Sequence, residues 1–181
     1  LLGEAWLGAA ADCRDVICLT LGTGFGSAFL RGGHVAETDP GLPPGGWLYN
    51  QPCCDGIADD WFSTRGLLRM YFEAGGTQPI TVRELSERAA WGDPFSRRVL
   101  AEFGSRLADF LDPHVGKFRP ECLVVGGNIA KAWDWLSPTL VEKLAATQPC
   151  VAVRKSALFE HAALLGSATL PLRYAEQPDA D

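Results

Sequence analysis

The most informative stretch of the sequence is residues 16–27, which read Val-Ile-Cys-Leu-Thr-Leu-Gly-Thr-Gly-Phe-Gly-Ser. The first six residues form a short apolar, β-branched run, which is typical of a buried β-strand. Strand-forming residues resume at 27–30, and Arg-Gly-Gly-His at 31–34 supplies glycines where a hairpin turn needs positive φ. The stretch therefore predicts a strand, a glycine-rich turn and a second strand.

This glycine-rich turn does not match the common nucleotide motifs. A dinucleotide fingerprint needs a helix directly after its glycines, and strand residues follow here. A Walker A loop needs Gly-Lys-Ser or Gly-Lys-Thr, and neither occurs in the sequence. The backbone N–H groups near Gly22, Gly24 and Gly26 could still approach an anion, with the Thr23 hydroxyl as a further donor. Alone, the turn fits either an anion site or an ordinary tight hairpin.

A second glycine turn follows about a hundred residues later. Residues 121–125 form another apolar run, and Gly126-Gly127-Asn128 comes between this run and a predicted helix. Adjacent glycines that open a helix at the end of a strand allow a flat ligand to lie against the main chain. Two such turns, each after a buried strand, favour a ligand site over two unrelated turns.

The remaining pattern predicts a mixed α/β layer. A capping box at 81–84 starts a helix that ends near Gly92, and Asp93-Pro94 starts a helix with a long apolar stripe. This order of strands and helices argues against a helical bundle. The other predicted elements are helices at 1–11 and 57–72, a long loop at 37–51, a helix from about 133 to 144, a short strand at 151–153 and a last helix at 159–170.

Composition limits the possible functions. The 181 residues are 47% hydrophobic, enough to build the core of about one domain, and the net charge is −6. An acidic chain of this kind is not expected to contact nucleic acid directly. No apolar run approaches the roughly 18 residues that a spanning helix needs, and no leader pattern is present. Membrane insertion and secretion are therefore not expected.

The cysteines and histidines do not form a recognisable reactive or metal-binding pattern. None of the six cysteines forms a Cys-x-x-Cys pair, and Cys18, Cys122 and Cys150 lie in apolar stretches, where we expect buried thiols. This usage indicates a reduced, cytoplasmic protein. The histidines at 34, 114 and 161 are scattered along the chain and are expected to be surface or capping residues, with His114 at a helix end.

The two glycine turns resemble motifs of the ROK family, which contains sugar kinases and sugar-responsive repressors of the actin/hexokinase-like ATPase superfamily. Residues 16–26 resemble the second phosphate motif of this family, and residues 123–127 resemble its adenosine motif. Three flanking stretches agree with the resemblance, at 2–9 (Leu-Gly-Glu-Ala-Trp-Leu-Gly-Ala), 90–94 (Ala-Trp-Gly-Asp-Pro) and 162–168 (Ala-Ala-Leu-Leu-Gly-Ser-Ala).

The resemblance implies the C-terminal lobe of the ribonuclease H-like, actin-like ATPase fold, a mixed sheet flanked by helices. This lobe would occupy residues 1–174, and residues 175–181 are expected to be a disordered tail. It also implies that ATP and Mg²⁺ bind, with Mg²⁺ bridging the phosphates. The implied contacts are Gly22, Thr23, Gly24 and Gly26 for the phosphates, and Gly126, Gly127 and Asn128 for the adenosine.

The resemblance also implies a hexose site. Gly56-Ile57-Ala58-Asp59 stands where the family has Gly-Cys-x-Glu, so Asp59 would replace the sugar-binding carboxylate, with Asp60 as the second candidate. Trp47 and Asn50 are in the segment that replaces Glu-x-Gly-His, and would contact the sugar by stacking and hydrogen bonding. The alternatives are that Asp59 is solvated or caps its helix, and that Trp47 packs on its own loop.

Several family features are absent from this sequence. Cys53-Cys54-Asp55-Gly56 cannot reproduce the family's zinc cluster, so no structural zinc is expected. Ser27 and Asn128 stand where many members have glycine. Neither the catalytic Asp of the family nor its Asp-Gly-Gly-Thr phosphate motif occurs, so no catalytic residue is assigned and the chain alone is expected to be inactive.

Three functions remain open from the sequence. The chain is the nucleotide-binding lobe of a sugar kinase, the sugar-sensing lobe of a repressor, or a degenerate member that keeps the fold for dimerisation. The first reading places a hexose between this lobe and a missing N-terminal lobe. A homodimer is expected in addition, because six tryptophans and the apolar stripe of the 94–111 helix would suit a dimer face.

Overall fold

The computed structural model describes residues 2–175, with side chains described through residue 168. The predicted tail therefore lies outside the described residues, apart from Ala175. The strands are β1 (Val16–Leu21), β2 (Phe25–Arg31), β3 (His34–Val35), β4 (Pro52–Cys53), β5 (Gly56–Ile57), β6 (Cys122–Gly126) and β7 (Ala152–Lys155). The α-helices are α1 (Leu2–Leu7), α2 (Ala58–Trp61), α3 (Thr64–Glu73), α4 (Val82–Ala90), α5 (Pro94–Phe118), α6 (Trp133–Thr147) and α7 (His161–Ala175). Short 3₁₀ turns occur at Pro44–Gly46 and Ile129–Ala132.

The main sheet has five strands in the order β3-β2-β1-β6-β7. β1 and β2 form an antiparallel hairpin, as the sequence predicted, whereas β1, β6 and β7 are parallel. The second sheet is the small β4–β5 hairpin. The predicted mixed sheet is confirmed.

Alternate residues of β1 enter two different cores. Ile17, Leu19 and Leu21 are buried in the larger core, which includes side chains of α2–α6. Val16 and Cys18 face the other side of the sheet, where α1 packs and α7 packs on α1. Because both faces of β1 are covered, the strand is apolar along most of its length. The prediction of a sheet flanked by helices is confirmed, and the structure shows helices on both of its faces.

Two predicted helix starts are confirmed. The Thr81 hydroxyl accepts a hydrogen bond from the Glu84 backbone N–H at 3.1 Å, and Glu84 Oε2 accepts one from the Thr81 backbone N–H at 2.7 Å. The Asp93 carboxylate accepts from the backbone N–H of Ser96 at 3.0 Å, with Pro94 at the first helical position. Both caps satisfy backbone donors that have no partner within the helix.

The predicted single helix at 57–72 is wrong, because the chain forms α2 and α3 with a break at Phe62 and Ser63. The physical cause of the break lies at Thr64, the first residue of α3. The Thr64 backbone N–H and hydroxyl donate to the Gly22 carbonyl oxygen, at 2.7 and 3.0 Å. A continuous helix would use the Thr64 N–H internally, so the break lets α3 hold the first glycine turn.

Other helix boundaries also differ from the prediction. α1 ends at Leu7, and α7 begins at His161 rather than at 159. α5 continues through Pro113 to Phe118, so His114 is inside the helix and not at its end. Burial of Val115 and Phe118 favours the extra turn and offsets the backbone donor that Pro113 lacks.

Two expectations about exposure are also wrong. Cys150 is exposed, whereas Cys18 and Cys122 are buried as predicted. The apolar stripe of α5 is buried within the chain by the sheet and α6, so it cannot serve as a dimer face. Among the described residues, no helix is both long and apolar enough to cross a membrane.

Candidate functional site

The carboxyl ends of the three parallel strands lie at one edge of the sheet. The register pairs Thr20 of β1 with Gly126 of β6, and Val125 of β6 with Lys155 of β7. Each strand is followed by a turn, so segments 22–24, 127–128 and 156–160 come together. In α/β proteins, ligands bind in the crevice outside the carboxyl ends of parallel strands.

A cavity of about 330 Å³ lies at this edge. It is bounded by both glycine turns, which are separated by a hundred residues in the sequence. We call it the turn cavity, and its lining residues are Thr20, Gly22, Thr23, Gly24, Gly127, Asn128, Phe159 and Glu160. The structure thus brings together five of the seven residues that the sequence singled out for the nucleotide.

Two of the predicted glycines do not line the turn cavity but support it. A Cβ on Gly26 would come within 2.3 Å of Thr20 Oγ1, and a Cβ on Gly126 would come within 3.1 Å of Ser156 Cβ. Both glycines therefore allow neighbouring segments to approach closely. The exposed backbone at the cavity belongs to Gly22, Gly24 and Gly127.

Sequence reasoning missed three lining residues, which are Thr20, Phe159 and Glu160. Thr20 had a detectable signal in the sequence, because it is the one hydroxyl residue in the apolar run at 16–21, just before the turn. Phe159 and Glu160 had none, because only the pairing of β7 with β6 brings their segment to this edge.

A second cavity of about 510 Å³ adjoins the first at Asn128, which lines both. We call it the helical cavity. It is enclosed mainly by α3, α4 and the turn before α6, and its lining residues are Thr64, Leu68, Ile80, Thr81, Val82, Arg83, Ser86, Glu87, Asn128 and Lys131. Three glycines border the turn cavity, and the apolar side chains of Leu68, Ile80 and Val82 form part of the wall of the helical cavity.

The first glycine turn is fixed from two sides. Asp59 Oδ1 accepts a hydrogen bond from the Phe25 backbone N–H at 2.7 Å, and Thr64 binds the Gly22 carbonyl as described above. A turn held in this way is ready to bind before any ligand arrives, which reduces the entropy cost of binding.

The charged groups at the junction of the two cavities are paired. Glu160 Oε1 and Lys131 Nζ lie 3.1 Å apart, and both side chains are largely exposed. Lys131 lines the helical cavity and Glu160 the turn cavity. The ion pair therefore spans the point at which the cavities meet, and it partly offsets the negative charge of Glu160 beside the glycine turns.

None of the three residues predicted to bind sugar lines either cavity. Asp59 is the nearest, since a Cβ on Gly24 would come within 3.1 Å of its Oδ1. Its other oxygen is 3.3 Å from Arg65 Nη2. The Asp59 N–H also donates to the Tyr49 carbonyl at 2.9 Å, which ties the 44–51 loop to α2.

Asn50 and Trp47 are both exposed in this loop. The Asn50 side-chain oxygen accepts a hydrogen bond from Gln51 Nε2 at 2.9 Å. Trp47 is 52% exposed, and its ring centroid is 6.5 Å from that of Tyr49, so the ring packs against its own loop. Ser27 Oγ accepts from the Leu48 N–H at 2.9 Å, which holds this loop against β2.

In the described part of the chain, no three His, Cys, Asp or Glu residues cluster as a metal site. The Sγ atoms of Cys53 and Cys54 are 3.9 Å apart, and burial raises the pKa of Cys53 to about 12. Burial also lowers the pKa of His114. The expectation that no zinc is bound stays a prediction.

Comparisons with known proteins agree with this architecture. A sequence profile described as the ROK family matches residues 1–173. Glucokinase from Thermotoga maritima is 27% identical over 199 residues, covering 94% of this chain and 62% of that enzyme. The solved ROK hexokinase from Thermus thermophilus has 27% identity and a TM-score of 0.75, over 97% of this chain and 63% of its own.

A repressor is also similar to this chain. The DNA-binding transcriptional repressor Mlc of Escherichia coli strain K12 is 25% identical over 159 residues, covering 79% of this chain and 39% of the repressor. The relatives thus include both sugar kinases and a regulator. The chain spans less than two thirds of the length of each of these three proteins.

Proposed function

The chain belongs to the ROK family, and from this premise we propose that residues 1–174 form the C-terminal, nucleotide-binding lobe of an ATP-dependent hexose kinase. The observation that carries the proposal is that two glycine turns, a hundred residues apart, border one cavity at the carboxyl edge of the sheet. A crevice lined by main chain at this edge suits a phosphate-bearing ligand.

In this proposal the phosphates lie along the first glycine turn. Gly22 and Gly24 expose main chain without a Cβ, and the Thr23 hydroxyl adds a donor at the same edge. The hydrogen bonds from Thr64 and to Asp59 keep this turn in place. The proposed role of Gly26 is indirect, since it allows β2 to pass close to Thr20.

The adenosine would lie beyond Gly127 and Asn128, in the helical cavity. Its apolar walls include Leu68, Ile80 and Val82, which suit the faces of a flat base. The volume of about 510 Å³ is in the range of small-molecule sites. Gly126 supports this end from behind, because it lets the 156–160 turn pack closely against β6.

Mg²⁺ prefers oxygen ligands and is usually held through substrate phosphates together with one or two protein groups. The turn cavity fits this preference, because Thr20, Thr23 and Glu160 supply hydroxyl and carboxylate oxygens. We propose these three residues as the protein side of the Mg²⁺ environment. When bound, the ion would neutralise charge on the phosphates.

The hexose is proposed to lie near Asp59, on the side of the first turn away from the adenosine. Asp59 is adjacent to Gly24, so a sugar bound there would be next to the phosphates. Trp47 and Asn50 are the proposed stacking and hydrogen-bonding partners from the neighbouring loop. The base that accepts the hydroxyl proton would come from an N-terminal lobe, so this lobe alone should not turn over.

Two further expectations belong to the proposal. The protein is expected to be cytoplasmic, with reduced cysteines, and to form a homodimer. Since the α5 stripe is buried, a dimer would use exposed side chains instead, among which Trp91 is 84% exposed. Light scattering coupled to gel filtration tests the dimer directly, and a Trp91→Ala variant tests the role of this side chain.

A sugar-sensing lobe of a repressor is the second candidate. The similarity to repressor Mlc supports it. In that case the chain would bind a hexose without turnover, and a separate module would contact DNA.

Calorimetric titration of the chain with ATP–Mg²⁺ tests the nucleotide site. Gly22→Val is the sharpest variant, because a Cβ at Gly22 meets no atom within 4 Å and its φ is not left-handed. We expect the variant to fold normally and to bind ATP at least about tenfold more weakly. Thr23→Val should also weaken binding, whereas Thr38→Val, an exposed threonine in the loop after β3, should not.

The two candidate functions differ in turnover. A protein that contains both lobes should phosphorylate a hexose from a panel, and Gly24→Val should abolish that reaction. Binding of a hexose without turnover would support the repressor instead. No ATP binding by the wild-type chain would contradict the kinase proposal.

A further inference from the structure

Glu4 in α1 is a buried carboxylate with no role in the site described so far. Only 3% of its surface is exposed. Its two oxygens accept hydrogen bonds from the backbone N–H groups of Ala9, Leu158 and Ala157, at 2.8, 2.9 and 3.2 Å, and from the Ser156 hydroxyl. Three of these four donors belong to the turn that follows β7.

The protonation state of Glu4 fits this set of donors. Burial by itself raises the pKa of Glu4, but the hydrogen bonds from Ser156, Ala9, Leu158 and Ala157 outweigh it and lower the pKa from its ordinary value. The side chain is thus a carboxylate at neutral pH. A carboxylate only accepts hydrogen bonds, so it can satisfy all four donors, whereas an amide would place two N–H groups among them.

Ser156 connects Glu4 to the far end of the same turn. Its hydroxyl donates to Glu4 and accepts a hydrogen bond from the Phe159 backbone N–H at 2.9 Å. Its own backbone N–H donates to the Val125 carbonyl at 2.9 Å, at the end of β6. The turn is therefore held between β6 and α1 by hydrogen bonds among Glu4, Ser156 and Val125, which are all buried.

The held turn forms one wall of the turn cavity. Phe159 and Glu160 line that cavity together with residues of both glycine turns. Phe159 has a φ of +45°, which a residue with a side chain rarely adopts unless its surroundings hold it. The hydrogen bond from its N–H to Ser156 is a restraint of this kind.

We propose that Glu4 is a positioning residue for nucleotide binding, which acts through Ser156 to fix residues 156–160 as one wall of the turn cavity. The inference rests on the proposed function for the identity of the ligand. It adds that α1, on the opposite face of the sheet from α5, controls the shape of the site. Glu4 itself touches no ligand, so its removal should change affinity through the turn.

The test compares three variants of the chain. Glu4→Gln keeps the size of the side chain and removes its charge, Ser156→Ala removes only the hydroxyl, and Glu142→Gln makes the same change as the first on an exposed position of α6. We expect Glu4→Gln and Ser156→Ala to weaken ATP–Mg²⁺ binding about tenfold in calorimetry. Glu142→Gln should bind as the wild type does.

Hydrogen exchange supplies a readout that general destabilisation would not produce. In Glu4→Gln, the amides of residues 157–159 should exchange faster while the sheet amides keep their protection. Unchanged ATP affinity in a folded Glu4→Gln variant would overturn the proposal. If that variant does not fold, unchanged affinity in Ser156→Ala would overturn it.

Failure of the proposed function has a different signature. If the wild-type chain binds no ATP, the proposed nucleotide site is refuted, and ATP is not the ligand of the turn cavity. The exchange experiment would then still decide whether Glu4 holds the turn, and unchanged exchange at residues 157–159 would reject that role too.

Discussion

Gly127 lies against the backbone of Leu21, so that a Cβ on Gly127 would come within 2.3 Å of the Leu21 carbonyl oxygen. Gly127 also has a φ of +87°, which is unfavourable for residues with a side chain. The contact joins the ends of β1 and β6, from which the two glycine turns extend. The common cavity depends on the absence of this one side chain.

Gly127→Ala should therefore reduce both stability and nucleotide affinity. The strained φ and the backbone clash together should cost about 3 kcal/mol of unfolding free energy. For a chain of this size that corresponds to a melting temperature roughly 9 °C lower. Denaturant unfolding and calorimetry with ATP–Mg²⁺ measure the two effects.

Gly75→Ala is the matched control, because Gly75 has a φ of +107° and a Cβ there would meet no atom within 4 Å. Its unfolding free energy should fall only by the conformational cost of the positive φ, about 1 kcal/mol, and its ATP affinity should be unchanged. Equal losses of stability in the two variants would mean that the contact with Leu21 does not matter.

The sequence predicted the parts of this site that depend on local signals. The apolar runs of β1 and β6 and the glycines after them were sufficient to locate both turns. The caps at Thr81 and Asp93 were also predictable, because each depends on residues within three positions of it. Membership of the family followed from the same motifs.

The parts that were not predicted depend on distant contacts. The break before α3 exists because Thr64 binds the carbonyl of Gly22, 42 residues away. The wall formed by Phe159 and Glu160 needs the register of β7 on β6, and Glu4 reaches this turn across more than 150 residues. Helix periodicity carries no information about such partners.

Ser27→Ala should loosen the loop that carries Trp47 and Asn50. Ser27 Oγ accepts the Leu48 N–H, and Leu48 is fully buried, so its donor would be left without this partner. We expect a loss of about 1 kcal/mol in unfolding free energy and faster hydrogen exchange at the Leu48 amide. Ser105→Ala is the control, because that hydroxyl accepts from Lys143 in an exposed position, and it should change stability by less than about 0.5 kcal/mol.

Asp59→Asn and Asp60→Asn form a matched pair that tests the hexose site. An asparagine at 59 can still accept the Phe25 N–H, so the glycine turn should persist while the charge is lost. In a protein with both lobes, we expect the KM for hexose to rise about tenfold for Asp59→Asn. Asp60 accepts from the Ile57 N–H and pairs with Arg65, so Asp60→Asn should affect stability and leave that KM unchanged. If the KM for hexose rises in Asp60→Asn and not in Asp59→Asn, Asp60 is the residue that contacts the sugar.

Arg31 supports the far end of the β1–β2 hairpin, and its contribution should depend on pH. It donates to Asp15 Oδ2 at 2.7 Å, Asp39 Oδ2 at 2.9 Å and the Phe118 carbonyl at 2.7 Å. The hydrogen bond from the Gly32 N–H and the Arg31 guanidinium lower the pKa of Asp15, while Arg31 and the Gly41 N–H lower that of Asp39.

Because both pKa values are lowered in the folded chain, folding favours the deprotonated carboxylates. Their stabilisation is complete above the unfolded-state pKa of about 4, and it is lost as the pH falls through the folded-state values. Arg31→Met keeps the apolar stem and removes the charge, so it should lower the unfolding free energy by about 1 kcal/mol at pH 7. Urea unfolding at pH 7 and at about pH 3 should show this difference shrinking at the acidic pH. Arg83→Met is the control, because the Arg83 side chain is 86% exposed, and its unfolding free energy should differ little from that of wild type at either pH. If Arg31→Met lowers the unfolding free energy equally at both pH values, a role for the two carboxylates is excluded.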